Sequence, residues 1–205
     1  MANLVFYDQT HQYTVDGVEV PSVSELTRFI SREVYKDVQQ FMLDAAATRG
    51  TNVHKATEAL DKFGTVEVDD EALPYIKAYL KFRKDHQPDW IKVEWSVNRG
   101  FLYAGTLDRY GTIGDKKVIL DIKTTSRISK DHKVLYTAAQ NLYRMAIEQD
   151  YPVDAIYILQ LKKDGTYKFY ELEIQDELAN ACITMHQALI KTKKKKGDTE
   201  TDDQD

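Results

Sequence analysis

The pattern of apolar and polar positions predicts that the first half of the chain is mostly helical. Two short strands around an Asp-Gly turn at 16–17 come first and form an N-terminal β-hairpin or small meander. Apolar residues then recur at helical spacing, and Ser22 and Glu25 stand in the arrangement of a capping box. A break is expected at 49–52, and Gly64 is expected to end the next helix. The predicted helices cover 22–26, 34–47, 51–63 and 71–85.

The second half alternates between apolar and polar residues, which is typical of strands with one buried face. The predicted elements are strands over 90–98, 101–112 and 117–124, a helix over 136–149, strands over 153–161 and 166–174, and a helix over 176–191. This order predicts an α/β fold with a central mixed β-sheet flanked by helices, preceded by the N-terminal β-hairpin and helical region. A single domain is expected over 1–192, followed by a disordered charged tail over 193–205.

Composition restricts the class of protein only broadly. The 205 residues are 42% hydrophobic and 30% charged, as in ordinary globular proteins. No apolar run reaches the roughly 20 residues that cross a bilayer, so no membrane association is expected. The first residues lack the features of a secretory signal, and a single cysteine, Cys182, excludes an intrachain disulfide and a four-cysteine iron–sulfur cluster. A reducing, cytoplasmic location is therefore expected.

The distribution of charge is uneven along the chain. The formal net charge is −5, which disfavours long-range attraction to nucleic acids. Between Lys116 and Lys133, however, the sequence has six basic residues and only two acidic ones. A basic edge that faces phosphates and a solvated loop explain this segment about equally well. Charge alone therefore leaves both alternatives open.

One Asp-x-Lys sequence differs from two others in its surroundings. Asp121 and Lys123 interrupt an apolar run in a predicted strand, where residues two apart share a face. The two charges therefore point to one side, while Val118, Leu120 and Ile122 face the core. A catalytic pair, a buried ion pair and an exposed strand end are the alternatives. The other two matches lie in turn or loop sequence, where surface charge is expected: Asp115 with Lys117, and Asp131 with Lys133.

Asp108 strengthens the catalytic alternative. It lies on the preceding predicted strand, and the turn at 114–115 places it near the level of Asp121. Two neighbouring carboxylates repel each other, and a hard divalent cation between them relieves the repulsion. The ammonium of Lys123 would then lie where an attacking water or a phosphoryl oxygen sits. This set supplies what the hydrolysis of a phosphodiester requires.

His54 and Glu58 are candidates from the helical half of the chain. They are four residues apart on a predicted helix and therefore share one face. Imidazole is a plausible further ligand, particularly for Mn²⁺. The alternative is an ordinary His/Glu pair on the helix surface.

These residues belong to four short motifs that resemble a known family. The motifs are Val20-Pro21-Ser22-Val23-Ser24, Arg49-Gly50-Thr51-Asn52-Val53-His54 with Glu58, Gly105-Thr106-Leu107-Asp108, and Leu120-Asp121-Ile122-Lys123-Thr124-Thr125. In this order and rough spacing, the chain resembles the RecB-type, phage exonuclease-like branch of the PD-(D/E)XK nuclease superfamily over about 20–150. It is also similar to the mitochondrial genome-maintenance exonuclease of that branch.

The resemblance implies a restriction-endonuclease-like core with a metal-dependent nuclease site. It assigns Mg²⁺ or Mn²⁺ binding to His54, Asp108, Asp121 and the backbone carbonyl of Ile122. Lys123 would be the catalytic lysine, acting together with the two aspartates. The implied substrate is DNA that is single-stranded or has an end.

Further residues are candidates for a supporting role or for DNA contact, each with a purely structural role as the alternative. The family carries Gln and Tyr four residues apart on the helix after the lysine strand. This chain has Gln140 and Tyr143, three apart, which still share a helical face. Glu58, Glu94 and Thr124 complete this group. The other histidines show no ligand spacing and are expected to be structural or exposed: His11, His86, His132 and His186.

The leading hypothesis is a metal-dependent DNA exonuclease of phage recombination or replication, in the bacterial host cytoplasm, with a recombination protein as a candidate partner. A structure-specific or single-strand endonuclease is one alternative. A non-catalytic DNA- or protein-binding module, such as an antagonist of host defence, is another. Action at DNA ends is favoured because the helices over 24–63 include His54 and must cover one side of the site. Phe29, Tyr35 and Phe41 are candidates for stacking on bases, or else core residues.

Overall fold

The computed structural model describes residues 3–199, with side chains as far as residue 192. In chain order its elements are β1 (Leu4–Tyr7), β2 (Gln12–Val15), β3 (Val18–Val20), α1 (Val23–Leu26), α2 (Arg28–Val34), α3 (Gln40–Phe63), α4 (Leu73–His86), β4 (Asp89–Asn98), β5 (Ala104–Ile113), β6 (Lys116–Lys123), α5 (Lys130–Ile147), β7 (Ala155–Leu161), β8 (Tyr167–Leu172) and α6 (Asp176–Thr199).

Five strands form the central sheet in the order β4-β5-β6-β7-β8. All neighbours are antiparallel except β6 and β7, which are parallel because α5 carries the chain from the end of one strand to the start of the other. The predicted α/β fold with a mixed sheet flanked by helices is therefore confirmed. The predicted N-terminal hairpin is extended by β3 to a three-stranded antiparallel sheet.

Helices cover both faces of the central sheet, so β6 is buried on both sides. Val118, Leu120 and Ile122 pack in one core cluster with side chains of α3 and α4. Ile119 lies on the opposite face, in a second cluster with side chains of α5. The predicted direction of the three core residues is correct. Because the far face is covered as well, Asp121, on the same side as Ile119, lies beneath helices and not in open solvent.

The helix α3 is continuous from Gln40 to Phe63, and the predicted break at 49–52 is wrong. Gly50 weakens a helix by only about 1 kcal/mol relative to alanine. The buried stripe that follows Gly50, beginning with Val53, packs on the sheet and outweighs this deficit. The start predicted at 34 is also wrong, because α2 occupies 28–34 as a separate helix.

Several helix boundaries follow from local chemistry. The capping box of Ser22 and Glu25 is confirmed, with each side chain bonded to the backbone of the other residue. Gly64 ends α3 in the left-handed conformation, with φ of 78°, as predicted. The helix α5 starts six residues earlier than predicted because the Ser129 hydroxyl caps it by accepting from the His132 amide.

The last helix, α6, packs on α1 and α5 through a cluster that contains Ala179 and Cys182. Its backbone is described to Thr199. The disordered tail predicted over 193–205 falls largely outside the described side chains, and 200–205 lie outside the described residues altogether, so it stays a prediction. Among the helices of the described part, none combines the length and apolar character that crossing a bilayer requires.

Candidate active site

Asp108 and Asp121 meet where strands β5 and β6 separate. The last backbone pair at that end joins Arg109 to Leu120, so the next position along places Asp108 opposite Asp121, as the sequence predicts. Beyond that pair, the Asp108 side chain takes the place of a backbone acceptor. Its Oδ2 accepts a hydrogen bond of 2.6 Å from the Ile122 amide. Both aspartates are buried. The sheet therefore holds two carboxylates side by side with little water around them.

Lys123 neutralises one of these carboxylates. Its Nζ lies 2.7 Å from Oδ2 and 2.9 Å from Oδ1 of Asp121. The ammonium also lies over the ring of Tyr136 on α5, 5.4 Å from the ring centre. Burial raises the pKa of Asp121 to about 6, against the opposing effect of Lys123, and the Asp108 charge adds to the rise. The Asp121–Lys123 pair is therefore compatible with both a structural ion pair and a catalytic role.

His54 reaches the same point from α3, on the other side of the sheet. Its Nε2 lies 3.0 Å from the Ile122 carbonyl oxygen. Its Nδ1 lies 3.5 Å from Asp108 Oδ2 and 3.5 Å from Glu94 Oε1. Burial lowers the pKa of His54, but the two carboxylates outweigh it and raise the pKa to about 9. The His54 imidazole therefore lies next to two of the predicted metal ligands, Asp108 and the Ile122 carbonyl.

Glu94 joins this group through an irregularity in two strands. It has a φ of 48°, in the left-handed region, which costs a non-glycine residue about 1–2 kcal/mol. Across from it, Leu107 packs on the α5 side while Arg109 bonds to residues of α3, although residues two apart in a regular strand share a face. The change of face occurs at Glu94 and Asp108. One of the four non-glycine residues with a left-handed φ in the described part of the chain thus lies at the site.

The donor set fits a hard divalent cation. One ligand atom each from His54, Glu94 and Asp108 lies within 4.8 Å of the others. The Ile122 carbonyl faces His54, and a carboxylate oxygen of Asp121, Oδ2, is buried without a directed hydrogen bond within the described residues. Carboxylate and carbonyl oxygens suit Mg²⁺, and the imidazole favours Mn²⁺. Of the four predicted metal ligands, the structure brings together His54, Asp108 and the Ile122 carbonyl, whereas Asp121 lies outside the 4.8 Å group and is paired with Lys123.

The supporting candidates are distributed unevenly around the site. Glu94 lies within it, as described above. Thr124 follows Lys123 and lies beside Gly50 of α3, where an added Cβ would be 3.9 Å from the Thr124 hydroxyl. Glu58 is ion-paired with Lys62 one turn along the same helix, and the described contacts do not join it to the site.

Gln140 and Tyr143 lie on the face of α5 that covers the sheet. Gln140 is buried. Burial raises the pKa of Tyr143, and the charges of Tyr13, Asp108 and Asp121 raise it further. A Cβ on Gly105 would lie 2.8 Å from the Tyr143 ring, so a larger residue at that position in β5 would require Tyr143 to move. The described contacts do not join Gln140 to the site, and the roles of both residues stay predictions.

The aromatic candidates for base stacking divide into two kinds. Phe29 and Phe41 are 38% and 67% exposed and can reach a ligand. Tyr35 is partly buried and packs edge-on against His132. His132 also bonds Ser129, and His86 bonds Tyr167, as expected for structural histidines.

Sequence reasoning missed a buried network behind the ligands. Arg109 is fully buried and bonds to Glu94, to Thr57 and to Asp61. A signal for it exists in the sequence, because His54, Thr57 and Asp61 recur at helical spacing on the face of α3 that meets the sheet. A charged residue next to Asp108 inside a buried strand is the complementary signal.

Comparisons with known proteins give distant structural matches. No protein-family model and no curated protein matches the chain. Matching solved structures include SSO0001, with 12% identity over 84% of this chain and 76% of that one, at a TM-score of 0.43. An alkaline exonuclease from Laribacter hongkongensis has 13% identity over 86% of this chain and 91% of that one, at a TM-score of 0.41. A phage-related exonuclease from Haemophilus somnus 129PT has 13% identity over 84% of this chain and 96% of that one, at a TM-score of 0.40. At these TM-scores the matches are too distant to support an inference about function.

Proposed function

We propose that the chain is a metal-dependent DNA nuclease of the PD-(D/E)XK type. The observation that carries the proposal is the Lys123 ammonium on the Asp121 carboxylate, beside the group formed by His54, Glu94 and Asp108. A lysine next to a cation-binding carboxylate cluster suits the hydrolysis of phosphodiesters better than any other common reaction, since it pairs a Lewis-acid site with a fixed positive charge.

The proposed roles follow from what each side chain already contacts. His54, Glu94, Asp108, Asp121 and the Ile122 carbonyl would hold Mg²⁺ or Mn²⁺, with Asp108 fixed by the Ile122 amide. The cation, when bound, would polarise the phosphate and lower the pKa of a water molecule. Lys123 would place a positive charge beside the phosphate oxygens, on which negative charge develops. Because the site is largely buried, this charge acts in a medium of low dielectric constant and is stronger than in water.

The route into the site supports action at DNA ends. The helix α2 packs on the α5 side of the sheet, through Ile30 and Val34, whereas α3 packs on the other side. The connection over 35–39 therefore passes from one side of the sheet to the other. We propose that it crosses the end of β6 that bears Lys123 and that DNA passes beneath it, which favours a single strand with a free end. We therefore propose an exonuclease, with a structure-specific or single-strand endonuclease as the alternative.

The finer assignments are proposals as well. The RecB-type branch, a similarity to the mitochondrial genome-maintenance exonuclease, a role in phage recombination or replication and a recombination protein as partner rest on the motif resemblance. A non-catalytic binding module is disfavoured because the set Asp108, Asp121 and Lys123 is intact. A chain that had lost the activity would have little reason to keep a half-buried lysine on the Asp121 carboxylate, next to Asp108.

The test is the degradation of end-labelled linear DNA with Mg²⁺ or Mn²⁺ and with excess EDTA. We expect cleavage only with the cation, and a loss of turnover by orders of magnitude in Lys123→Ala, because removal of one member disables such a set. Lys117→Ala is the matched control, since Lys117 belongs to another Asp-x-Lys sequence, at the opposite end of β6. Full activity of Lys123→Ala, or cleavage in EDTA, would overturn the proposal.

A further inference from the structure

A fully buried arginine lies directly behind the candidate metal ligands. Arg109 follows Asp108 on β5, and its side chain has no exposed surface. A buried guanidinium is retained only where its donors are satisfied, because an unpaired buried charge is strongly unfavourable. The proposed chemistry makes no use of Arg109. Its partners therefore indicate what it does.

The guanidinium joins three elements that carry the site. Nε donates to Asp61 Oδ2 at 2.7 Å, on α3. Nη1 donates to Glu94 Oε1 at 3.0 Å, on β4, and to the Asp108 carbonyl oxygen at 2.7 Å. Nη2 donates to the Thr57 hydroxyl at 3.0 Å, again on α3. One rigid, planar group thus fixes the distance between a helix and two strands.

Two of these contacts lead to candidate metal ligands. Glu94 Oε1, which accepts from Arg109, also lies 3.5 Å from His54 Nδ1. The Thr57 hydroxyl, which accepts from Arg109, donates in turn to the His54 carbonyl oxygen at 3.0 Å. Arg109 therefore touches one ligand directly and holds the helical turn that carries the other.

The backbone of Glu94 gives this contact further weight. Glu94 has a left-handed φ of 48°, and such a conformation persists only where surrounding contacts enforce it. The ion pair with a buried, immobile guanidinium is the contact that keeps the Glu94 side chain on the α3 side of β4. Without it, the backbone would be free to relax and carry the carboxylate away from His54.

We infer that Arg109 is a positioning residue, which holds the Glu94 carboxylate and the His54 turn in the arrangement that a divalent cation requires. This inference rests on the proposed metal site. A lysine in its place would keep the positive charge but not the planar fork that reaches Glu94, Thr57 and Asp61 together. The competing interpretation is that Arg109 only neutralises the buried Asp61.

The experiment compares Mn²⁺ binding to Arg109→Lys and Asp61→Asn by titration calorimetry, with folding followed by circular dichroism. Both variants disturb the same buried ion pair, but only Arg109→Lys releases Glu94. We expect Arg109→Lys to weaken Mn²⁺ binding by roughly 10- to 100-fold, the effect typical of residues that orient metal ligands, and Asp61→Asn to leave the dissociation constant nearly unchanged. Equal weakening in the two variants would overturn the inference.

A second pair of variants covers the case in which Arg109→Lys does not fold. Thr57→Val removes one hydrogen bond of the guanidinium without leaving a buried charge unpaired. Thr137→Val is its matched control, because Thr137 is equally buried but lies on α5. We expect weaker Mn²⁺ binding only in Thr57→Val, and unchanged binding there would contradict the inference.

A double-variant cycle tests whether Arg109 acts through Glu94. Once Glu94→Gln is present, the additional change Arg109→Lys should weaken Mn²⁺ binding much less than it does alone. Independent, multiplicative effects would contradict the inference. The outcome is distinct from that of the proposed function: Mn²⁺ binding without DNA cleavage would overturn the nuclease activity and leave the role of Arg109 intact, whereas no Mn²⁺ binding by the unaltered chain would overturn both.

Discussion

His54 and Asp121 have protonation states that depend on their neighbours more than on solvent. The Asp108 and Glu94 carboxylates, against the effect of burial, raise the pKa of His54 to about 9, so the imidazole carries a proton near neutral pH. Burial raises the pKa of Asp121 to about 6 despite Lys123. A cation binds only the deprotonated forms of both groups. The affinity for the proposed cation would therefore depend on the protonation of these two residues, and so on pH.

We expect the affinity for Mn²⁺ to increase as the pH rises from about 6.5 towards the pKa of His54, by up to about tenfold per pH unit, because one proton must leave for each ion that binds. In His54→Ala the affinity should be lower and this slope should disappear. His186→Ala, on α6, is the control and should keep the slope. Calorimetry at several pH values measures both, and a slope retained in His54→Ala would exclude this residue as a ligand.

The helix α3 and the strand β5 differ in whether their glycines leave room for a Cβ atom. The helix α3 runs without interruption past Gly50, where an added Cβ would meet only the Thr124 hydroxyl, at 3.9 Å. In β5, by contrast, a Cβ on Gly111 would lie 2.1 Å from the Asp89 carbonyl oxygen of β4. The strand pair thus requires glycine for close approach of the backbones, whereas the helix contains glycine without needing it.

Gly50→Ala should therefore raise the free energy of unfolding by about 0.5–1 kcal/mol, because alanine has the higher helix propensity and the site has room for it. Gly111→Ala should lower it by about 3 kcal/mol or more, since a backbone atom must move. Urea denaturation of the two variants measures both values. Destabilisation by Gly50→Ala would contradict the continuous helix and support the break that the sequence pattern suggests.

For the molecule as a whole, the layers on the two faces of the sheet determine access to the site. Side chains from α3 and α4 cover one face and those from α5 the other, and the connection between α2 and α3 passes from one side of the sheet to the other. Under the proposed function, a substrate strand meets an opening bridged by this connection. Phe41, at the start of α3, is exposed, and its stacking on a base stays a prediction.

A bridged opening predicts a difference between linear and circular single strands of the same sequence. The linear strand should be degraded progressively with Mg²⁺ or Mn²⁺, while the circle, which has no end to pass beneath the connection, should stay intact. Gel electrophoresis over time distinguishes the two. Comparable cleavage of the circle would replace the exonuclease proposal with the endonuclease alternative and would leave the metal-site proposal unaffected.

Local physics explains which features the sequence by itself determined. The period of two in β6 set the direction of Asp121 and Lys123, because strand geometry allows no other arrangement once Leu120 and Ile122 are buried. The turn between β5 and β6 set the level of Asp108 for the same reason. Short-range hydrogen bonds likewise fixed the capping box at Ser22. Each of these depends on residues close together in the chain.

Only the tertiary structure decided the features that depend on distant contacts. Whether α3 breaks at Gly50 depended on the packing of its buried stripe on the sheet, which outweighs local propensity. The Glu94 carboxylate meets His54 of α3 and Arg109, fifteen residues away, and Arg109 in turn bonds Asp61 and Thr57 of α3. No periodicity encodes such a contact, because its energy exists only once the helix and both strands have met.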